Sequence, residues 1–156
     1  MSPTLRTVLA PTLCPAAAPP RPGAGSAPSL AYSLTLPGDP RSAAVARAAV
    51  SAVLRAHGLD GHSLAALLVV TELVGTAARL APGVDLHLFL RHRADALRIL
   101  VWDQHPAHPD PDVEALCADR RRRSLWLLDA AVDDWGGEWG GERGVRGVKS
   151  WVTLPR

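Results

Sequence analysis

The sequence predicts an α+β two-layer sandwich, in which helices pack on one face of a mainly antiparallel mixed sheet. The predicted elements come in the order β-α-α-β-β-loop-α-β-β, without the regular strand–helix alternation of a parallel sheet. Apolar residues repeat with a helical period in three segments, and they alternate with polar residues in the first predicted strand. The 156 residues, of which 47% are hydrophobic, are enough for one domain with a single core.

The N-terminal segment differs in composition from the rest of the chain. Residues 1–28 contain seven of the 14 prolines, little charge and no hydrophobic period. Such a segment buries too little apolar area to offset the entropy that it would lose on ordering. We therefore predict a flexible Pro/Ala-rich tail over residues 1–29 and a folded domain over residues 30–156.

Charge, apolar runs and cysteines narrow the class of protein. The formal net charge is only +2, so the composition does not indicate direct nucleic-acid binding. The apolar run at residues 8–10 is too short for an export signal, and no run approaches the ~20 apolar residues of a membrane span. Two cysteines, Cys14 and Cys117, cannot form a disulfide framework or, by themselves, a metal cluster. We expect a cytoplasmic protein that does not contact a membrane.

The first strand and the first helix follow the predicted tail. Residues 32–36 alternate between apolar and polar side chains, which predicts a strand. Asp39 is the predicted N-cap of the first helix, with Pro40 at its first helical position, and Gly58 ends that helix. One face of this helix carries the predicted inward residues Ala46, Ala49, Val50, Val53 and Leu54.

A second helix and a hairpin come next. Asp60 or Ser63 is the predicted N-cap of the helix, which runs to about Leu80. Its predicted buried stripe consists of Leu64, Leu67, Leu68, Thr71, Val74 and Ala78. Residues 84–90 and 96–102, separated by a polar turn, predict two antiparallel strands.

The last third of the chain begins with a polar stretch. Residues 103–123 contain three prolines and predict a loop of about twenty residues, a length that is usually functional or mobile. Residues 124–134 predict a third helix that buries Leu125, Leu128 and Val132. Two final strands are predicted around residues 135–139 and 148–154, joined by a glycine-rich turn.

Four segments match the motifs of a known family, in its order and spacing. They are residues 71–80 (TELVGTAARL), residues 101–103 (VWD), residues 123–136 (RSLWLLDAAVDDWG) and residues 147–151 (GVKSW). These segments resemble the corresponding motifs of the bacterial anti-sigma-factor serine kinases. That family belongs to the GHKL superfamily of gyrase, chaperone and histidine-kinase ATPases, also called the Bergerat fold. The resemblance covers roughly residues 30–156.

The resemblance implies an ATP site with Mg²⁺ and assigns roles to individual residues. Glu72 corresponds to the candidate catalytic base, and Asp103 corresponds to the aspartate that reads the adenine amino group. Thr76 stands where the family has the asparagine that holds Mg²⁺. Arg123 and Lys149 correspond to residues near the phosphates.

Several positions depart from the family pattern. Thr76 replaces the metal-binding asparagine with a shorter hydroxyl side chain, and Leu80 replaces a histidine. Arg122 and Ser124 stand at the paired glycines whose backbone N–H groups approach the phosphates in the family. Ser124 therefore keeps a cofactor-binding position without the glycine. These departures predict a degenerate ATP site.

Four consecutive arginines precede the third predicted helix. Cations at a helix N-terminus oppose its dipole, and a bound anion would remove that cost. Arg120, Arg121 and Arg122 are therefore candidate residues for binding an acidic protein partner. The alternatives are a solvated, disordered lid and a contact with nucleic acid.

Two histidines in the predicted loop have donor atoms that suit a metal ion. His105 and His108 stand near Asp110 and Asp112. The prolines between them favour an extended loop over a folded metal site.

Two functions follow from the resemblance. As a binding module, the protein would bind a sigma factor or an anti-anti-sigma protein, with ATP unnecessary, and would form a homodimer as family members do. As an enzyme, it would be an ATP- and Mg²⁺-dependent serine protein kinase that phosphorylates the anti-sigma antagonist, with Glu72 as the base. The degenerate motifs favour the binding module, and the kinase is the alternative.

Overall fold

A computed structural model describes residues 29–156 of the chain, so the predicted tail lies outside the described residues except for Ser29. The strands are β1 (Leu30–Leu36), β2 (Leu86–Arg93), β3 (Ala96–Asp103), β4 (Glu138–Gly144) and β5 (Gly147–Leu154). The helices are α1 (Ser42–Ala56), α2 (Ser63–Leu80), α3 (Pro111–Ser124) and α4 (Trp126–Asp134). A short 3₁₀ turn at Asp60–His62 precedes α2.

The five strands form one sheet in the order β1-β2-β3-β5-β4. All four strand pairings within residues 29–156 are antiparallel, so the predicted α+β class is confirmed and the mixed character of the sheet is not found there. The hairpin β2–β3 turns at Ala94 and Asp95, which both have positive φ. β5 lies between β3 and β4, which places the ends of β3 and β4 near the same part of the sheet.

The hydrophobic core lies between one face of this sheet and the helices α1, α2 and α4. Along β3, Leu97, Ile99 and Val101 are buried on the helix side, while the residues between them face the other way. Each fully buried side chain of this kind contributes about 1.5–3 kcal/mol. In the third predicted helix, Leu125, Leu128 and Val132 are all buried, as the sequence predicts.

The start of α1 differs from the sequence-based prediction. The helix begins at Ser42, and Arg41 rather than Asp39 is its N-cap residue. The Asp39 carboxylate instead accepts hydrogen bonds from the backbone and the side chain of Arg41, and these contacts lower its pKa to about 2. On the predicted inward face Ala46, Val50 and Leu54 are buried, while Ala49 and Val53 are half-buried.

The predicted buried stripe of α2 is wrong in phase. Val74 and Ala78 are buried, but Leu67, Leu68 and Thr71 are only half-buried and Leu64 is 81% exposed. The helix turns a different set inward, which is Ala66, Val69, Val70, Leu73, Val74, Thr76, Ala77 and Ala78. Apolar residues surround most of this helix, so their period does not define a single inward face.

The segment Asp60–Leu80 also meets the length and composition criteria for a membrane-spanning helix, contrary to the sequence-based expectation. It has 21 residues, and its most apolar 18-residue window has a mean hydropathy of 1.6, because alanine, valine and leucine dominate it. Of its most apolar 18-residue window, 44% is buried inside the fold. Burial against a sheet explains an apolar helix as well as a bilayer does.

The predicted long loop contains a helix. Within residues 103–123, α3 begins at Pro111, and the Asp110 side chain caps it by accepting from the Asp112 N–H at 2.9 Å. The connection after β3 is therefore only residues 104–110. The last hairpin is also shifted, since β4 spans Glu138–Gly144 and not residues 135–139.

His62 is a buried histidine at the N-cap of α2. Its ring centroid lies 5.9 Å from that of His92, in an edge-to-face arrangement. Burial is the main cause that lowers the pKa of His62, and the charges of His92 and Arg156 lower it further. The folded protein therefore binds a proton at this ring less readily than the unfolded chain does.

We expect the free energy of unfolding to decrease as the pH falls below about 6.5, because the unfolded chain then gains a proton that folded His62 resists. His62→Gln should remove part of this decrease. Thermal unfolding followed by circular dichroism between about pH 8 and pH 5 measures both proteins. An identical pH dependence in the variant would contradict the assignment to His62.

Candidate functional site

The candidate site is built around a buried salt bridge at the end of β3. The Asp103 carboxylate is 1% exposed and accepts two hydrogen bonds from the Arg121 guanidinium, Nη1 to Oδ2 at 2.6 Å and Nη2 to Oδ1 at 3.1 Å. The backbone N–H of His105 donates to the same Oδ1 at 3.0 Å. Both carboxylate oxygens are thus engaged by the protein itself.

Helical spacing in α3 explains why Arg121 turns inward and its neighbours do not. Glu114, Cys117 and Arg121 recur at the spacing of one helix face, whereas Arg120 and Arg122 are exposed. The Arg121 side chain is only 11% exposed, so Arg120 and Arg122 are the two predicted partner-binding residues that lie at the surface in this arrangement. The arginines also lie in the last turn of α3, where the helix dipole favours cations, and not at a helix N-terminus as the sequence predicted.

A cavity of about 290 Å³ lies beside this salt bridge. Its walls come from α3, from β4 and β5, and from the residues at the ends of α2 and β3. Charged side chains line it, with Arg121, Arg122 and Arg143 opposed by Glu114 and Glu142. These five charged side chains come from α3 and β4.

Glu114 and Arg143 form an ion pair that closes one side of the cavity. The His108 N–H donates to Glu114 Oε2 at 3.0 Å, and this bond, followed by the charge of Arg143, lowers the pKa of Glu114. Arg143 Nη1 also donates to the His105 carbonyl at 3.0 Å. These contacts tie β4 and α3 to the segment that follows β3.

Glu72 and Thr76 do not belong to this cavity as described for residues 29–156. Thr76 is buried, and its hydroxyl accepts a hydrogen bond from Arg79 Nη2 at 3.0 Å, so the hydroxyl at the predicted metal position is already engaged. Glu72 lies one turn earlier on α2 and is half-buried. The two residues share a helix face, as the spacing predicts, but the cavity lies elsewhere.

The remaining predicted cofactor residues do not converge either. Lys149 is exposed on the sheet face opposite the helices, beside Phe89 and Arg98, because Val148 and Ser150 on either side of it face inward. Ser124 Oγ donates to the Arg120 carbonyl at 2.9 Å.

Arg123 lies at the surface and pairs with Asp119 at 2.7 Å.

The side chains predicted to bind ATP and Mg²⁺ therefore do not fit these ligands in this arrangement. The Asp103 carboxylate, which is expected to read adenine, is paired with Arg121, and the Thr76 hydroxyl accepts a hydrogen bond from Arg79. Lys149 lies on the face of the sheet opposite the helices. We derive no chemical step through ATP.

A second cluster in this region escaped the sequence analysis. His105, His108 and Cys117 place their side-chain donor atoms within 4.8 Å of one another. The sequence analysis grouped the two histidines with Asp110 and Asp112, but Asp110 caps α3 and Asp112 donates its N–H to that cap. The helix start at Asp110-Pro111 is the sequence signal that places Cys117 on a helix, about two turns after its start.

No protein-family model matches this chain, and no curated protein matches it.

We expect Arg121→Met to lower the free energy of unfolding by about 3–5 kcal/mol, because it leaves the buried Asp103 carboxylate without its counter-charge. Arg123→Met is the matched control in the same helix turn. Its exposed pair with Asp119 is worth at most about 1 kcal/mol. Urea denaturation of both variants measures the difference.

A double variant separates the cost of the unpaired charge from the cost of losing the arginine. Asp103→Leu combined with Arg121→Met removes both buried charges and should recover most of the lost stability. Equal and small effects of the two single arginine variants would show that Arg121 does not hold α3.

Proposed function

We propose that this chain is a cytoplasmic regulatory protein that acts by binding another protein and does not require ATP. The observation that carries the proposal is the Asp103–Arg121 salt bridge. The Asp103 carboxylate is 1% exposed and already accepts two bonds from Arg121 and one from His105, so an adenine amino group has no access to it in this arrangement. The motif resemblance supplies the class, which is that of the anti-sigma-factor regulators of the GHKL superfamily.

The surface at the junction of α3 and α4 supports a protein partner. Arg120 and Arg122 are exposed there, and Trp126 is 68% exposed one residue after Leu125. Arginine and tryptophan are enriched among the residues that dominate binding energy at protein interfaces. This surface suits an acidic partner, and the resemblance implies a sigma factor or an anti-anti-sigma protein.

The alternative is an ATP- and Mg²⁺-dependent serine protein kinase with Glu72 as its base. It requires Arg121 to leave Asp103 and Arg79 to release the Thr76 hydroxyl. The cavity beside Arg121 favours this alternative, because it would give a nucleotide room once α3 moved. Binding of ATP distinguishes the two functions.

We expect no calorimetric signal for ATP, with or without Mg²⁺, up to about 1 mM, because Arg121 occupies the Asp103 carboxylate. A dissociation constant above about 1 mM corresponds to a binding free energy of less than about 4 kcal/mol in magnitude. The titration uses the full chain after removal of bound nucleotide. Micromolar, Mg²⁺-dependent binding would overturn the proposal and favour the kinase. In that case Glu72→Gln should abolish phosphate transfer to an anti-anti-sigma protein.

We expect the double charge reversal Arg120→Glu with Arg122→Glu to weaken partner binding by about tenfold or more, since each exposed pair is worth up to about 1 kcal/mol. Binding is measured pairwise against the sigma factors and anti-anti-sigma proteins of the source organism. Arg55→Glu, at the exposed end of α1, is the control with the same kind of charge change. Unchanged binding after the double reversal would show that this surface is not part of the interface.

The family resemblance also implies a homodimer, and sedimentation of the chain alone tests it.

A further inference from the structure

We propose that His105, His108 and Cys117 form a binding site for Zn²⁺. The Nε2 atoms of the two histidines lie 3.2 Å apart, and Cys117 Sγ lies 3.2 Å from His108 Nε2. All three atoms fall within 4.8 Å of one another. This inference does not depend on the proposed regulatory function.

Two of the three distances between the donor atoms match a tetrahedral zinc site. Zinc binds histidine nitrogen at about 2.0–2.1 Å and cysteine sulfur at about 2.3 Å. Tetrahedral angles then place two nitrogens about 3.3 Å apart and a nitrogen and a sulfur about 3.6 Å apart. Two of the three separations, both 3.2 Å, are close to these values. The third, from His105 Nε2 to Cys117 Sγ, is within 4.8 Å, so side-chain rotation must bring these two atoms up to about 1.2 Å closer to complete the geometry.

The hydrogen bond on the far side of His105 prepares its ring for a metal. His105 Nδ1 lies 2.8 Å from the Leu80 carbonyl oxygen. A carbonyl only accepts, so Nδ1 carries the proton and the lone pair is on Nε2, which faces His108. Metal-binding histidines in proteins commonly donate their second ring N–H to a backbone carbonyl in this way.

The backbone around the cluster is held at several points. The His105 N–H donates to Asp103 and its carbonyl accepts from Arg143, while the His108 N–H donates to Glu114. Cys117 lies on α3, which the salt bridge to Asp103 holds in place. The three donor atoms are therefore brought together by contacts that do not involve the metal.

Zinc binding at this site replaces the thiol proton of Cys117 by the metal. The Cys117 S–H bond breaks, the sulfur–zinc bond forms, and one proton passes to the solvent. His108 binds through Nε2 with its ring proton on Nδ1. Two nitrogens and a thiolate suit Zn²⁺, whereas Mg²⁺ prefers oxygen ligands.

The site leaves one coordination position open. His105 and Cys117 also line the cavity of about 290 Å³, so the fourth ligand, a water molecule in the simplest case, enters from that space. Zinc would join residues 104–110 to α3, and it would thereby hold the helix that carries Arg121. Metal binding is expected to raise the thermal midpoint of unfolding.

The test uses the full chain after treatment with a chelator. Zinc titration in competition with a metal indicator is expected to give one equivalent per chain. Cys117→Ser should weaken binding by at least about tenfold, because even substitutions outside the ligand set cost 10- to 100-fold. Cys14→Ser, at the other cysteine of the chain, is the matched control and should bind zinc as the unmodified protein does.

Cobalt gives a readout that identifies the ligand. With Co²⁺ in place of zinc, the thiolate charge-transfer absorption should appear in the unmodified protein and in Cys14→Ser, and it should be lost in Cys117→Ser. Circular dichroism checks that each variant is folded. If Cys117→Ser fails to fold, His108→Gln keeps the thiol and should also weaken zinc binding.

Three results would overturn the site. They are no zinc uptake at equimolar metal, zinc binding that folded Cys117→Ser or His108→Gln leaves unchanged, and displacement of zinc by equal amounts of Mg²⁺.

Discussion

A buried salt bridge, from Asp103 to Arg121, joins the end of the central strand β3 to a helix that is otherwise held by polar contacts. Of the α3 residues, all of which the structure describes, only Arg121 is buried. Such a helix gains little from apolar burial, so its position depends on charged and hydrogen-bonded groups. Breaking one partner of a buried pair costs more than the pair contributes, because the remaining charge stays out of water. This contact therefore positions the α3 wall of the cavity and Cys117, and it keeps the buried Asp103 carboxylate paired with a positive charge.

The same salt bridge connects the predicted adenine position at Asp103 with the proposed zinc site. Asp103 ends the strand that the family resemblance assigns to adenine, and Arg121 fills that carboxylate in place of a ligand. The segment between them carries His105 and His108, and α3 returns Cys117 to the two rings. Any partner, nucleotide or metal that moves α3 therefore changes the surroundings of Asp103 as well. A helix fastened by a few polar contacts is a suitable element for such coupling, since it can be displaced without opening the hydrophobic core.

The period of apolar residues predicts an element correctly where one face of the element is buried and the other is not. The spacing of Leu125, Leu128 and Val132 identified a helix and its inward side. The alternation in β1 identified the strand and the buried Leu36, although Tyr32 is 42% exposed. The same period did not identify the inward face of α2, where apolar residues occur all around the helix and Leu64 points to solvent. It also missed α3, because its polar and charged composition resembles that of a loop, although Asp110 and Pro111 mark a helix start.

The sequence by itself determined the order of the elements other than α3, the α+β class and the basic run at residues 120–123, because these depend on composition and on periods within a single segment. The tertiary structure decided which arginine turns inward, since that depends on where α3 crosses the end of β3. Strand register decided that Lys149 and Asp103 lie on opposite faces of the sheet, with Lys149 paired to Trp102 and Asp103 to Val148. The approach of Cys117 to two histidines required the path of residues 104–110. Such contacts join residues from different elements, and no pattern within one element encodes their distance.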